Sequence, residues 1–256
     1  MSFDVLRLVT TVVNKETLFF ERIDDWESKR HALLVQVHDY PSLIEAYKTR
    51  TVEPHPEDSR LSFTDEVPRI RLANACEATT NTLYGMAELA AQFGNLASKG
   101  LLPSSFNDLR KKVRAGKLDP ALATTLDDLQ WYEKVRELRT EWAHYSSSFV
   151  AEEHDEPVLI VRAYRRSSDR VQFARQITCT LPELITWTNN AISTVDNYAG
   201  YLVTRYLIPR MPMEQVIPVA KRDQFGMPIL KGTMQVEVEE MTIREYFASR
   251  GLKIEK

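Results

Sequence analysis

Near the middle of the chain, Leu138-Arg139-Thr140-Glu141-Trp142-Ala143-His144-Tyr145 sets an arginine five residues before a histidine. A guanidinium grips a phosphate through two parallel hydrogen bonds and stays charged at any physiological pH. An imidazole moves protons near neutrality. Together these groups suffice to cleave RNA without a metal ion. Nothing else in the sequence offers chemistry of comparable coherence.

The elements that must hold this pair are helical by pattern. Asp119-Pro120 places an N-cap acid before a proline at the first helical position. Leu122, Leu126, Leu129, Tyr132, Val135, Leu138, Trp142 and Tyr145 then line one side of a helix expected to run to about Ser146. Upstream, Pro68 suits a first helical turn, and Ile70, Ala73, Cys76, Leu83, Met86, Ala87 and Ala90 give a long helix its inward positions, with Gly94 and Gly100 punctuating its end. Pro103-Ser104-Ser105 opens a shorter helix carrying Phe106, Leu109 and Val113, closed near Gly116. Downstream, Val158–Val161 and Val171–Ile177 flank the turn-prone Ser167-Ser168-Asp169 and predict a β-hairpin. Thr180-Leu181-Pro182-Glu183 is a capping box that opens a helix through Leu202, ending before Pro209.

The flanks are less regular. Phe19, Phe20, Ile23 and Trp26 recur at helical spacing, and Ser42-Leu43-Ile44-Glu45 reads as the capped start of a second short helix. Glu53–Ser59 is polar and twice broken by proline, so a loop is expected there. From Val216 the tail alternates like a hairpin around Gln224-Phe225-Gly226, and Thr242-Ile243-Arg244-Glu245 caps a last short helix. The fold class is therefore mainly α: an up-and-down helical bundle with an inserted β-hairpin and a small C-terminal β/α extension. Three regions are expected: an N-terminal helical extension over 1–60, the bundle over 68–208 with its hairpin at about 157–180, and a C-terminal hairpin and short helix over 210–256.

Composition narrows the function classes. With 33 basic and 36 acidic side chains the net charge is −3, so any contact with nucleic acid must come from a local basic patch. Two stretches qualify: Arg110-Lys111-Lys112-Val113-Arg114 with Lys117, and the hairpin with Arg162, Arg165, Arg166, Arg170 and Arg175, where Tyr164 and Phe173 are available for stacking. Basic runs are more often solvated faces offset by nearby acids, and the first stretch fits that description better than the second.

No apolar run approaches the roughly 18–20 residues that cross a bilayer, and Met1-Ser2-Phe3-Asp4-Val5 lacks signal-peptide character. Cys76 and Cys179 have no CxxC spacing, so reduced thiols, a cytoplasmic location and no membrane partner are expected. No cofactor or metal is expected either. Glu152-Glu153-His154-Asp155-Glu156 reads as an acidic connector, His31 and His38 as ordinary side chains, and no phosphate-binding glycine loop is present. Trp131, Trp142 and Trp187 are expected to pack in the bundle or at a dimer seam.

Arg139-Thr140-Glu141-Trp142-Ala143-His144 fits the R-x4-6-H signature of the HEPN superfamily, and it falls near the end of the third helix of a bundle, where that family carries it. The chain resembles HEPN proteins over about 68–208. The resemblance implies a metal-independent endoribonuclease, with Arg139 and His144 catalytic and RNA as substrate. It also implies a homodimer, a toxin or defence role, and a cognate antitoxin or regulatory protein. Thr140 stands where active members often carry Asn, Asp or His. Ser146 stands where R-x4-H-x-Y members carry the tyrosine, so no modification chemistry there is carried over. Inactive HEPN-like scaffolds that bind RNA or protein are the alternative. Geometry adds one constraint: positions five apart on a straight helix diverge by about 140° and rise about 7.5 Å, so a two-fold dimer would help both groups reach one phosphate. In the bland alternative Arg139 pairs with Glu137, Glu141 or an acid on another helix, and His144 caps helix carbonyls.

Overall fold

A computed structural model describes residues 3–13, 17–54, 62–64, 66–126, 130–142, 146–153, 156–167, 170–221, 229–231 and 235–251. The fold is mainly α, an up-and-down bundle with an inserted antiparallel sheet and a small C-terminal β/α unit. Helix α1 (Phe3–Val13) leads into α2 (Thr17–Lys48), and a short ladder of β1 (Val52–Pro54) with β2 (Ser62–Thr64) precedes α3 (Glu66–Ala97). The loop expected over Glu53–Ser59 thus starts inside a strand, and residues 55–61 lie outside the described set.

Helix α2 does not restart at Ser42. It runs through Pro41 without a break. Trp26, Leu33, Tyr40 and Tyr47 follow one another at seven-residue spacing, each at most 2% exposed, and this stripe packs along α3. Burying it keeps the chain helical across a residue that removes one backbone donor.

Helix α3 is the hub, touching α2, α4 (Phe106–Arg114), α6 (Gln130–Trp142), α7 (Leu181–Leu202) and β3 (Ser146–Glu153). Its inward positions begin at Leu72, and Ile70, expected among them, is 52% exposed. Gly94 lies inside the helix rather than ending it. The chain turns only at Lys99 and Gly100, where φ reaches 55° and 85°.

The single helix expected from Pro120 to about Ser146 is two: α5 (Pro120–Thr125), N-capped by Asp119, and α6. Thr124 and Thr125 donate their hydroxyls back to the carbonyls of Pro120 and Ala121, and such back-bonding by poor helix formers suits an early stop. At the other end α6 stops at Trp142, and Ser146 opens strand β3. The three consecutive serines there favour local hydrogen bonds over helix.

The hairpin is present as β4 (Glu156–Ser167) and β5 (Arg170–Thr180), with a bulge at Ala163/Tyr164. It is widened by β3 into a three-stranded sheet of order β3-β4-β5, which packs on α3, α6 and α7 through buried Val150, Val158, Leu159, Val161 and Cys179. Both halves of the capping box form at the start of α7, between Thr180 and Glu183. A π turn, Val203–Leu207, and a 3-10 turn, Ile208–Arg210, absorb Pro209.

In the tail, β6 (Val216–Ala220) pairs with β9 (Val238–Thr242) rather than with the strand expected just past Gly226. The chain does return at Ile229, whose N–H donates to the Lys221 carbonyl at 2.9 Å, and β7 (Leu230–Lys231) pairs with β8 (Gln235–Val236). Residues 222–228 lie outside the described set. Helix α8 (Ile243–Ser249) carries its own complete capping box from Thr242. One buried cluster runs from Val5 of α1 to Phe247 of α8, through every helix of the bundle.

Candidate functional site

Helix α6 presents two unlike faces. Trp131, Tyr132, Val135 and Leu138 are buried against the core. Glu133, Glu137 and Glu141, spaced by four, run along another side with Arg136, Arg139 and Thr140 nearby. Arg139 sits in the last turn, where a cation meets the partial negative charge of the helix end.

The Arg139 guanidinium is exposed and lies over the ring of Tyr84 on α3, 4.6 Å from its centroid. Tyr84 stacks on Tyr132 with centroids 6.0 Å apart and planes 15° apart. The Tyr132 hydroxyl donates to Glu88 Oε1 at 2.8 Å, and Glu88 Oε2 accepts the Phe106 N–H at 3.3 Å. Burial, reinforced by the Glu88 carboxylate, pushes the Tyr132 phenol well above its ordinary range, so it remains a proton donor. Arg139 thus rests on an aromatic platform braced by α3, α4 and α6.

Glu137 and Glu141, two positions to either side of Arg139, are held elsewhere. Arg175 of β5 reaches Glu137 Oε1 at 2.7 Å, and reaches Glu141 Oε1 with Nε at 3.1 Å and a terminal nitrogen at 2.5 Å. Glu141 is 1% exposed. Arg139 itself makes no ion pair with a described residue; its ring contact is with Tyr84. His144 falls between the end of α6 and the start of β3 and lies outside the described residues. The angular argument for one uninterrupted helix therefore holds only as far as Trp142.

Between α4, α6 and β5 lies an open cleft of about 410 Å³ lined by Arg110, Glu133, Arg136, Glu137, Thr140 and Arg175; Arg139 is not among the lining residues. Arg110 and Arg114 of α4 both hold Glu133, the latter at 2.7 Å. Lys111 pairs with Asp108 at 3.2 Å. The basic run 110–114 is thus largely offset by nearby acids.

The arginines of the sheet divide. Arg162 of β4 is exposed, and its Nε donates to Gln176 Oε1 at 3.4 Å. The ladder sets Arg165 opposite Gln172, Arg166 opposite Val171, and Arg170 opposite Ser167, all toward the free end of the hairpin; their side chains lie outside the described set. Arg175 is turned to α6 instead. Phe173, 59% exposed, meets Tyr164 edge-on at 6.2 Å. Trp131 is buried, and Trp142 and Trp187 pack partly buried against the same core.

No group of three metal-ligating side chains occurs among the described residues. His31 and His38 are exposed on α2, the latter 3.5 Å from Asp39. Cys76 and Cys179 are free and buried. Among the described residues no helix is long and apolar enough to cross a membrane.

Sequence reasoning singled out Arg139 but missed Arg136 and the cleft. The four-residue period of Glu133, Glu137 and Glu141 was a readable sign that these acids share a stripe. Comparison with protein-family models, with curated proteins and with solved structures returns no match.

Proposed function

We propose that this chain is a metal-independent endoribonuclease of HEPN type, acting as a homodimer, with Arg139 and His144 at the reacting phosphate. The observation that carries the reading is the Arg139 guanidinium, exposed on α6 over Tyr84 with no ion pair to a described residue, while Glu137 and Glu141 are both held by Arg175. In this reading the RNA 2′-hydroxyl loses its proton to a base and attacks the adjacent phosphorus. Arg139 holds the charge of the pentacoordinate phosphorane, a contribution of about 3–4 kcal/mol per preorganised donor. The 5′-oxygen leaves with a proton, giving a 2′,3′-cyclic phosphate and a 5′-hydroxyl. One imidazole serves as base and another as acid, which is why two copies of His144 are wanted. A toxin or defence role, with a cognate antitoxin or regulatory protein as partner, accompanies the reading.

The test is cleavage of single-stranded RNA in excess chelator by the full chain, Arg139→Ala and His144→Ala. Expected is activity in the first and losses of about 10²–10³-fold and 10²–10⁴-fold in the others. Equal background cleavage by all three overturns it. RNA binding retained by both variants without cleavage points to a non-catalytic scaffold.

A further inference from the structure

In the stripe Glu133-Glu137-Glu141, Glu133 stands three positions before Arg136 and could neutralise it, since positions three apart on a helix are neighbours. It does not. Glu133 is taken by Arg110 and Arg114 of α4, and Glu137 and Glu141 by Arg175 of β5. Every acid of the stripe is held by a guanidinium from another element. Arg136 lines the cleft, exposed, with no ion pair to a described residue; its carbonyl accepts the Thr140 hydroxyl at 2.7 Å. Arg139, three positions on, is likewise unpaired among the described residues. The two differ by about 4.5 Å in rise and about 60° in azimuth, so they flank one edge of α6.

From this partition we infer that the cleft is a second anion subsite, in which Arg136 takes the backbone phosphate next to the one at Arg139. The inference rests on the reading of Arg139 as a phosphate contact. A guanidinium beside an open cleft suits a phosphate oxygen pair, and the polar walls of carboxylate–guanidinium pairs suit a solvated backbone better than an apolar partner. Because Arg110 and Arg175 are spent on carboxylates, the subsite offers one strong cationic contact.

The experiment is fluorescence anisotropy of the full chain with a labelled, fully 2′-O-methylated single-stranded RNA, which cannot be cleaved, across a series of salt concentrations. Arg136→Gln is expected to weaken binding about tenfold and to lower the salt slope by about 0.7. Lys134→Gln, which removes a charge of the same sign from outside the cleft, leaves both near the full chain's values. Wild-type affinity and slope in Arg136→Gln, with binding still dependent on Arg139, overturns the subsite and leaves the reading of Arg139 standing. Equal losses for Arg136→Gln and Lys134→Gln also overturn it. No binding by the full chain removes both.

Discussion

A methyl group at position 94 would overlap the Tyr198 hydroxyl oxygen and sit 2.9 Å from its Cζ. Gly94 is therefore retained inside a helix, where it is worth about 1 kcal/mol less than alanine, because α7 brings a tyrosine against it. Tyr198 is fully buried, and its hydroxyl finds no hydrogen-bond partner among the described residues. Gly94→Ala should lose about 1–3 kcal/mol despite its better propensity, because overpacking at a rigid contact outweighs the helix gain. Tyr198→Phe should be neutral or gain about 1 kcal/mol by removing the unsatisfied group. In the double variant the Gly94 penalty should shrink, and urea unfolding of the four proteins reads the coupling; strict additivity would rule out this contact as the cause. At this scale the sequence showed residue types but not their partners. Arg139 was visible as chemistry. Its setting was not, because the ring it lies over, Tyr84, comes from a different helix far earlier in the chain.

At the scale of elements, local signals were reliable where their chemistry is local. The Asp119 cap and the Thr180 and Thr242 capping boxes form as their spacing indicates. Thr180→Ala should cost about 1 kcal/mol, read as a lower urea midpoint, since the Thr180 hydroxyl accepts the Glu183 N–H at 3.3 Å while Glu183 accepts the Thr180 N–H at 2.8 Å. An unchanged midpoint would show that the sheet, not the cap, holds that junction. Ser42 carries the same motif and is overruled, because the stripe from Trp26 to Tyr47 gains more by staying helical on α3. That difference is testable. Pro41→Ala should stabilise the protein by up to about 3 kcal/mol, restoring a backbone bond to the Val37 carbonyl. Ser42→Ala should change stability by no more than a few tenths, whereas a true N-cap would lose about 1 kcal/mol. A loss on Ser42→Ala with no gain on Pro41→Ala would mean the helix starts afresh there. Strand β3 escaped notice for a related reason. Its serines lack a strand signal of their own, and it is a strand by pairing with β4, from Ser146 opposite Ala163 to Glu153 opposite Glu156.

The whole molecule is held by groups that meet only when distant segments close. Tyr40 of α2 donates its hydroxyl to Thr79 Oγ1 of α3 at 2.8 Å, beside Cys76, and Cys179 of β5 is buried in the same cluster. Periodicity could mark each of these positions as inward, but not that three elements would bring a phenol and two thiols into one apolar region. Such groups fold in their neutral forms. Burial pushes the Cys76 thiol up to about 12 from its ordinary 9.0; it also raises Cys179, with help from Glu183, and Tyr40. For an acid whose folded value is raised, the stabilisation is complete below the unfolded value and is lost as pH climbs toward the folded one. Stability should therefore show no pH dependence from these thiols between neutrality and about pH 9.0, then fall as pH approaches 12. The slope is up to about 1.4 kcal/mol per pH unit for each thiol that ionises on unfolding. Cys76→Ala lowers the starting stability through its cavity, so the informative quantity is the slope of urea-derived stability against pH, which should become shallower than in the parent. A parallel slope would mean that Cys76 meets water in the folded state and that the α2–α3–β5 junction is open.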